Sequence, residues 1–224
     1  MKAEHRKELE RNVLRERMGH VAETLKQKPT SGAYVVVGVI LLVVALFWAW
    51  KYYSISSARN TSERWTRLDE IRNVADLPPF VEKNAGTAAA RTARFEEARY
   101  RLQHGVGNLG SPTQHDSAVD DLKTARSVYE ELAPISRDVP VLAQEAMMGR
   151  AKAEEALSAT PNPENKAEML GSLDRAVELY NQLKDAYPDT FQAKAAEARV
   201  KDLTDKRDKV QAFYAELNKQ ASKK

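Results

Sequence analysis

Apolar and polar positions fall into three regimes along this chain. Residues 1–32 are mostly polar, residues 33–50 (AYVVVGVILLVVALFWAW) are an uncharged run of eighteen, and from residue 54 apolar residues recur three and four apart among charged ones. Eleven residues of the middle run are Val, Ile, Leu or Phe. At roughly −0.3 to −0.6 kcal/mol each, they favour insertion into a bilayer by about 3 to 7 kcal/mol. Carried on to Tyr53, the helix is about 31 Å long, matching the hydrocarbon core once Lys51 snorkels to the interface. Trp48, Trp50, Tyr52 and Tyr53 cluster at its C-terminal end, where amphipathic rings prefer the headgroup layer. The pattern thus predicts a transmembrane helix over 33–53. A secretory signal peptide has a shorter apolar stretch and does not follow 32 largely polar residues, although Ser54-Ile55-Ser56 could offer a cleavage site. A buried core helix would need apolar helices on all sides, and the chain has none to spare.

Before this run, Leu14, Met18, Val21 and Leu25 are spaced four, three and four apart, predicting a helix over 4–27 with one apolar stripe. Basic residues surround the stripe, so the tail is either an amphipathic helix on an anionic leaflet or a solvated stub. Pro29, Ser31 and Gly32 are expected to interrupt it. Orientation by charge is balanced: Arg15, Arg17, Lys26 and Lys28 on one side face Lys51, Arg59, Arg64 and Arg67 on the other. The eight Lys and Arg of the whole tail lean towards a cytoplasmic N-terminus.

Residues 54–224 contain no alternating Val/Ile/Thr run, so the fold class is all-α. Within them a pattern repeats: Leu122, Ala125, Tyr129 and Leu132 return 51 residues later as Leu173, Ala176, Tyr180 and Leu183. Each set lies on one helix face, with an alanine that lets a neighbouring helix approach closely. Proline follows each set, Pro134 and Pro140 in one case and Pro188 in the other, and then paired alanines, Ala143 with Ala146 and Ala193 with Ala196. These spacings predict helix–turn–helix units. A fainter copy places Trp65 and Leu68, an insertion with Pro78 and Pro79, then Ala90 and Ala93. Such residues ordinarily pack helices together and bind nothing themselves.

Charge and composition narrow the chemistry. Thirty-five Lys and Arg against 32 Asp and Glu give no electrostatic footprint for nucleic acid. The absence of cysteine excludes disulfides, thiolate metal sites and a thiol nucleophile. The histidines, His5, His20, His104 and His115, form no ligand pair at helical spacing. Glu96-Glu97 and Asp120-Asp121 diverge around their helices and read as solvated faces. Residues 104–110, HGVGNLG, lack a preceding strand and read as a flexible loop between helices. Phosphate-loop and serine-elbow motifs are missing. No cofactor, metal or catalytic residue is expected.

The run Ala176-x3-Tyr180-x2-Leu183-x4-Pro188 resembles the second helix of a tetratricopeptide repeat. Ala125-x3-Tyr129-x2-Leu132 is similar, with Arg137 at the proline place, and the 51-residue offset exceeds that family's unit of about 34, so the intervening helices are expected to be divergent or enlarged. The whole layout resembles the YfgM-like ancillary subunits of the bacterial SecYEG translocon, on the strength of Gly38 to Leu41 in the anchor and Trp50, Lys51, Tyr52 and Tyr53 at its exit. The likeness is concentrated in residues 32–68, and Glu23-Thr24-Leu25-Lys26 stands where that family often carries an aromatic pair. The resemblance implies a charged cytoplasmic tail (1–32), an anchor in the inner membrane (33–53) and a tetratricopeptide-like domain outside the cytoplasm (54–224). It also implies a non-enzymatic scaffold whose partners are the translocon, envelope chaperones or emerging clients. The alternatives are a coordinator of envelope assembly or division, and an enzyme whose site is assembled from scattered residues such as His104 and His115.

Overall fold

A computed structural model describes residues 31–165 and 167–222. They form α1 (Ser31–Glu70), α2 (Leu77–Lys83), α3 (Ala88–Asn108), α4 (His115–Ile135), α5 (Pro140–Ala156), α6 (Leu173–Ala186), α7 (Phe191–Asp205) and α8 (Arg207–Ala221), with a 3-10 turn at Val74–Asp76. Among the described residues there is no strand, only one lone antiparallel bridge between Pro161 and Met169. The fold class is all-α. The chain divides into two compact units, residues 1–63 and 64–224, and the division falls inside α1.

In the first unit, Ser31 and Gly32 open α1 where an interruption was expected. Pro29 and the tail helix read over 4–27 lie outside the described residues. The helix then exposes apolar side chains around its whole circumference, Val37, Val39 to Val44, Leu46 and Phe47 among them. Among the described residues no helix is long and apolar enough to cross a membrane.

The second unit is a succession of helical hairpins in which α2 packs on α3, α3 on α4, and so on to α7. Local chemistry sets the helix starts. Thr87, Ser172 and Thr190 accept hydrogen bonds from the backbone N–H of Ala90, Arg175 and Ala193, capping α3, α6 and α7. Pro140 opens α5, where its missing N–H costs nothing, and Pro78 and Pro79 open α2, so the insertion carrying them folds as a short helix. Pro134 stays inside the last turn of α4, one residue before the helix ends. Pro188 is exposed in the α6–α7 turn beside Asp189, whose φ of 67° places it in the left-handed region.

The repeated residues are where the helices meet. Leu122, Ala125, Tyr129, Leu132, Leu173, Ala176, Tyr180 and Leu183 are all buried, as are Ala143, Ala146, Ala193 and Ala196. In the upstream copy Leu68, Ala90 and Ala93 are buried, while Trp65 keeps 37% of its surface. The excess over a 34-residue unit resides in the connection 157–172, and α5 itself is an ordinary helix of 17 residues. Helix lengths also differ between the copies, 21 residues in α4 against 14 in α6.

Two glycines mark the closest helix crossings. A Cβ at Gly149 of α5 would enter the ring of Tyr129, and one at Gly105 of α3 would stand 2.6 Å from Leu122 Cγ and 2.8 Å from the Ala118 carbonyl. Gly105 corrects the reading of HGVGNLG as a loop. Residues 104–108 are helical because glycine permits α4 to lie against α3, a tertiary gain that outweighs its low helix propensity.

Candidate binding face

Three helices define one side of the second unit. α3 touches α5 and α5 touches α7 in addition to the helices between them, while α4 and α6 stay apart. The array therefore has an inner side made by α3, α5 and α7, and an outer side made by α4 and α6. On the inner side a groove of about 320 Å³ is lined by Leu102 and Val106 of α3, Met148 and Lys152 of α5, Ala195 and Arg199 of α7, and Tyr214 of α8. On the outer side a cleft of about 530 Å³ separates α4 from α6 above Ala143, Met147 and Arg150.

At the floor of the inner groove sits Glu155, 3% exposed near the end of α5. Its carboxylate accepts from Tyr180 Oη at 3.0 Å, from Tyr214 Oη at 2.8 Å, and from Arg199 through Nε at 2.9 Å and through Nη2. Four donors from three helices thus converge on one buried anion, the arrangement that makes a buried charge tolerable. Burial pushes both tyrosine hydroxyls up from their usual range, and the neighbouring carboxylate adds to the effect. The hydrogen bond to Glu155 holds the Arg199 guanidinium above its usual value, against the opposing effect of its own burial.

A second polar cluster joins α3 to α4. Arg101 donates from Nε to Glu97 at 2.9 Å and from Nη1 to Asp121 at 2.9 Å, and Asp121 also bonds His104 Nδ1 at 2.7 Å. Tyr100 stacks on the His104 ring at 5.7 Å. Here the reading of the acidic pairs as solvated faces is corrected in half of its residues. Glu96 and Asp120 are exposed, but Glu97 is buried and the Asp121 side chain is 13% exposed, because the two converge on one cation across the helix interface. A third cluster fixes the long connection. Glu154 accepts from Arg126 at 2.9 Å and from the backbone N–H of Ser172 at 3.0 Å, while Arg126 also donates to the Leu170 carbonyl at 2.7 Å.

His115 bonds the Leu109 carbonyl through Nδ1 at 2.7 Å and is not brought together with His104 at a common site. Among the described residues no group of His, Asp and Glu could hold a metal ion. In α1, Trp48, Trp50 and Tyr52 are exposed, Phe47 lies 6.4 Å from the Trp50 ring, and Lys51 Nζ is 5.7 Å from the Trp48 ring. The Tyr53 side chain is outside the described residues.

The sequence reading singled out Tyr180 but missed Glu155, Arg199 and Tyr214. One signal was present. Ala151, Ala153, Ala156 and Leu157 surround Glu154-Glu155 with small and apolar positions, and acidic residues there are buried whichever way the helix faces. Comparison with protein-family models, curated proteins and solved structures returned no match. The class defined by the fold is an all-α array of helical hairpins preceded by a long helix with an apolar first half.

Proposed function

We propose that this chain is a membrane-anchored, protein-binding scaffold of the cell envelope, with a tetratricopeptide-like domain held outside the cytoplasm by a single transmembrane helix. The observation that carries the reading is α1. Eleven Val, Ile, Leu and Phe residues occur among its residues 33–50, those described are exposed on every side of the helix, and water is a poor solvent for such a surface. Trp48, Trp50 and Lys51 then occupy the interface, with the N-terminus cytoplasmic. The same helix runs on to Glu70.

Binding rather than catalysis is favoured by how the buried charges are used. Glu97, Asp121, Glu154 and Glu155 are each bonded to arginine, leaving none poised as a general base. Tethering raises the effective concentration of a weak binder near its membrane target without any new contact. The resemblance to YfgM-like proteins makes the translocon and periplasmic chaperones the first partners to test. In-cell crosslinking followed by purification from detergent-solubilised membranes should recover them with the full chain. Recovery of division or wall-assembly proteins instead would replace the translocon version, and a chain found wholly in the soluble fraction would overturn the anchored scaffold.

A further inference from the structure

α8 breaks the succession of hairpins. Each helix from α3 to α6 lies closely along its successor, whereas α8 has little contact with α7. It turns away at one non-helical residue, Lys206 (φ −123°, ψ 26°). Val210, Tyr214, Leu217 and Ala221 are spaced four, three and four apart, a single stripe along the helix. Val210, Tyr214 and Leu217 of the stripe lie on Leu109, Leu122, Ala156 and Leu157, residues from the end of α3, from α4 and from the end of α5. Tyr214 completes the Glu155 cluster, and Leu217 Cδ2 lies 3.0 Å from the place of a Cβ at Gly110.

This seat is imperfectly matched to its occupant. Asn218 Oδ1 on α8 is buried without a hydrogen-bond partner among the described residues, which weighs against the closed arrangement. The bidentate pair of Arg207 with Asp174 at the start of α8 is exposed and holds it weakly. The groove beside Tyr214 continues the apolar surface past α8 through Leu102, Val106, Met148 and Ala195. Lys152 lines it and makes no ion pair among the described residues.

We propose that α8 is a displaceable strap, occupying in cis the seat of an amphipathic helix supplied by a protein partner. That helix presents apolar residues spaced like Val210, Tyr214 and Leu217, a tyrosine hydroxyl for Glu155, and a carboxylate for Lys152, which α8 does not provide. The strap competes at the high local concentration of a tethered segment, so partners engage where they bind more strongly than it does. The proposal deepens the protein-binding reading and depends on it for the partner.

The chain has no cysteine, so Gly110→Cys with Leu217→Cys introduces the only thiols. The 3.9 Å between a Cβ at 110 and Leu217 Cβ suits a disulfide. The full chain in lipid nanodiscs is titrated with a fluorescent synthetic peptide of the sequence 206–222, and circular dichroism verifies the fold of each variant. The reduced double variant should bind the peptide and the oxidised one should not. Tyr214→Phe in the otherwise unaltered chain should bind it about tenfold more tightly than the parent, because the strap loses a hydroxyl donor to a carboxylate while the peptide keeps its own. Equal binding in the oxidised and reduced forms, or no binding to the reduced form and to Tyr214→Phe, overturns the strap. Redox-dependent binding with no crosslinked partner would sink the scaffold reading alone, whereas recovered partners with redox-independent binding would sink the strap alone.

Discussion

Replacing Glu155 by glutamine keeps the side-chain shape and removes the charge on which α5, α6, α7 and α8 converge. Arg199 then loses the carboxylate that its Nε and Nη2 both reach, and two buried tyrosine hydroxyls compete for one amide oxygen. Breaking a fully buried ion pair by removing one partner costs about 3–5 kcal/mol. The Arg199 side chain retains 35% of its surface, so water solvates part of the abandoned charge and brings the expected loss to about 2–3 kcal/mol. For an array the size of residues 64–224, that lowers the unfolding midpoint by about 4–12 °C. Thermal unfolding of the full chain in detergent micelles, followed by far-ultraviolet circular dichroism, measures it. Glu145→Gln is the control. Its partner Arg99, bonded at 2.5 and 2.7 Å, is half exposed, and the loss should stay below about 1 kcal/mol. Adding Arg199→Met to Glu155→Gln should recover part of the loss, since the uncompensated cation is gone. A Glu155→Gln shift under about 2 °C, or one no larger than that of Glu145→Gln, would refute the view that this carboxylate ties the array together.

Other consequences follow from the same packing. Gly149→Ala drives a methyl into the buried Tyr129 ring and should cost about 1–3 kcal/mol in urea unfolding, while Gly107→Ala, with nothing near its Cβ, should be neutral or slightly stabilising. Tyr129, Tyr180 and Tyr214 all have hydroxyls pushed up, chiefly by burial. A raised folded value means the unfolded chain releases its protons first, so stability is fully present below about pH 10 and falls above it, by up to about 1.4 kcal/mol per pH unit for each tyrosine. Stability titrations from pH 8 to 11 should show that fall, and Tyr214→Phe should make it shallower. In α1, Leu42→Arg places a charge at the centre of the apolar run, costing about 2.5–3.5 kcal/mol of insertion. The fraction resisting alkaline carbonate extraction from membranes should drop, whereas Arg64→Leu, outside the run, should leave it unchanged.

The helix faces were legible because packing imposes a period on the sequence. Leu122, Ala125, Tyr129 and Leu132, and their counterparts 51 residues later, announce buried stripes whatever their neighbours are. Glycine was misread where it did tertiary duty: Gly105 carries the local signature of a loop, and only the proximity of Leu122 explains why the chain stays helical there. The polar clusters were illegible for a related reason. Glu97 and Asp121 look like half of two solvated acidic pairs until α3 and α4 are laid side by side and Arg101 is found between them. Glu155 and Arg199 are 44 residues apart, and nothing in either helix alone requires the other.

Close packing and buried charge are linked in this molecule. Alanine and glycine at the crossings bring α3, α4 and α5 close enough that carboxylates at the interface borders are largely buried, and such a carboxylate is tolerated when a cation meets it. Arg101, Arg126 and Arg199 meet that demand for α3–α4, for the α5–α6 connection and for α5–α7 in turn. Apolar stripes fix that two helices meet, but they tolerate sliding by a turn. A guanidinium that must reach a particular carboxylate does not, because a one-turn displacement of about 5.4 Å would strand both charges. The arginines therefore set the register of an array whose helix crossings are specified by small residues. The Glu155 cluster is the register device to which α8 also belongs, so loosening α8 leaves Arg199 and Tyr180 still bonded and the hairpins aligned.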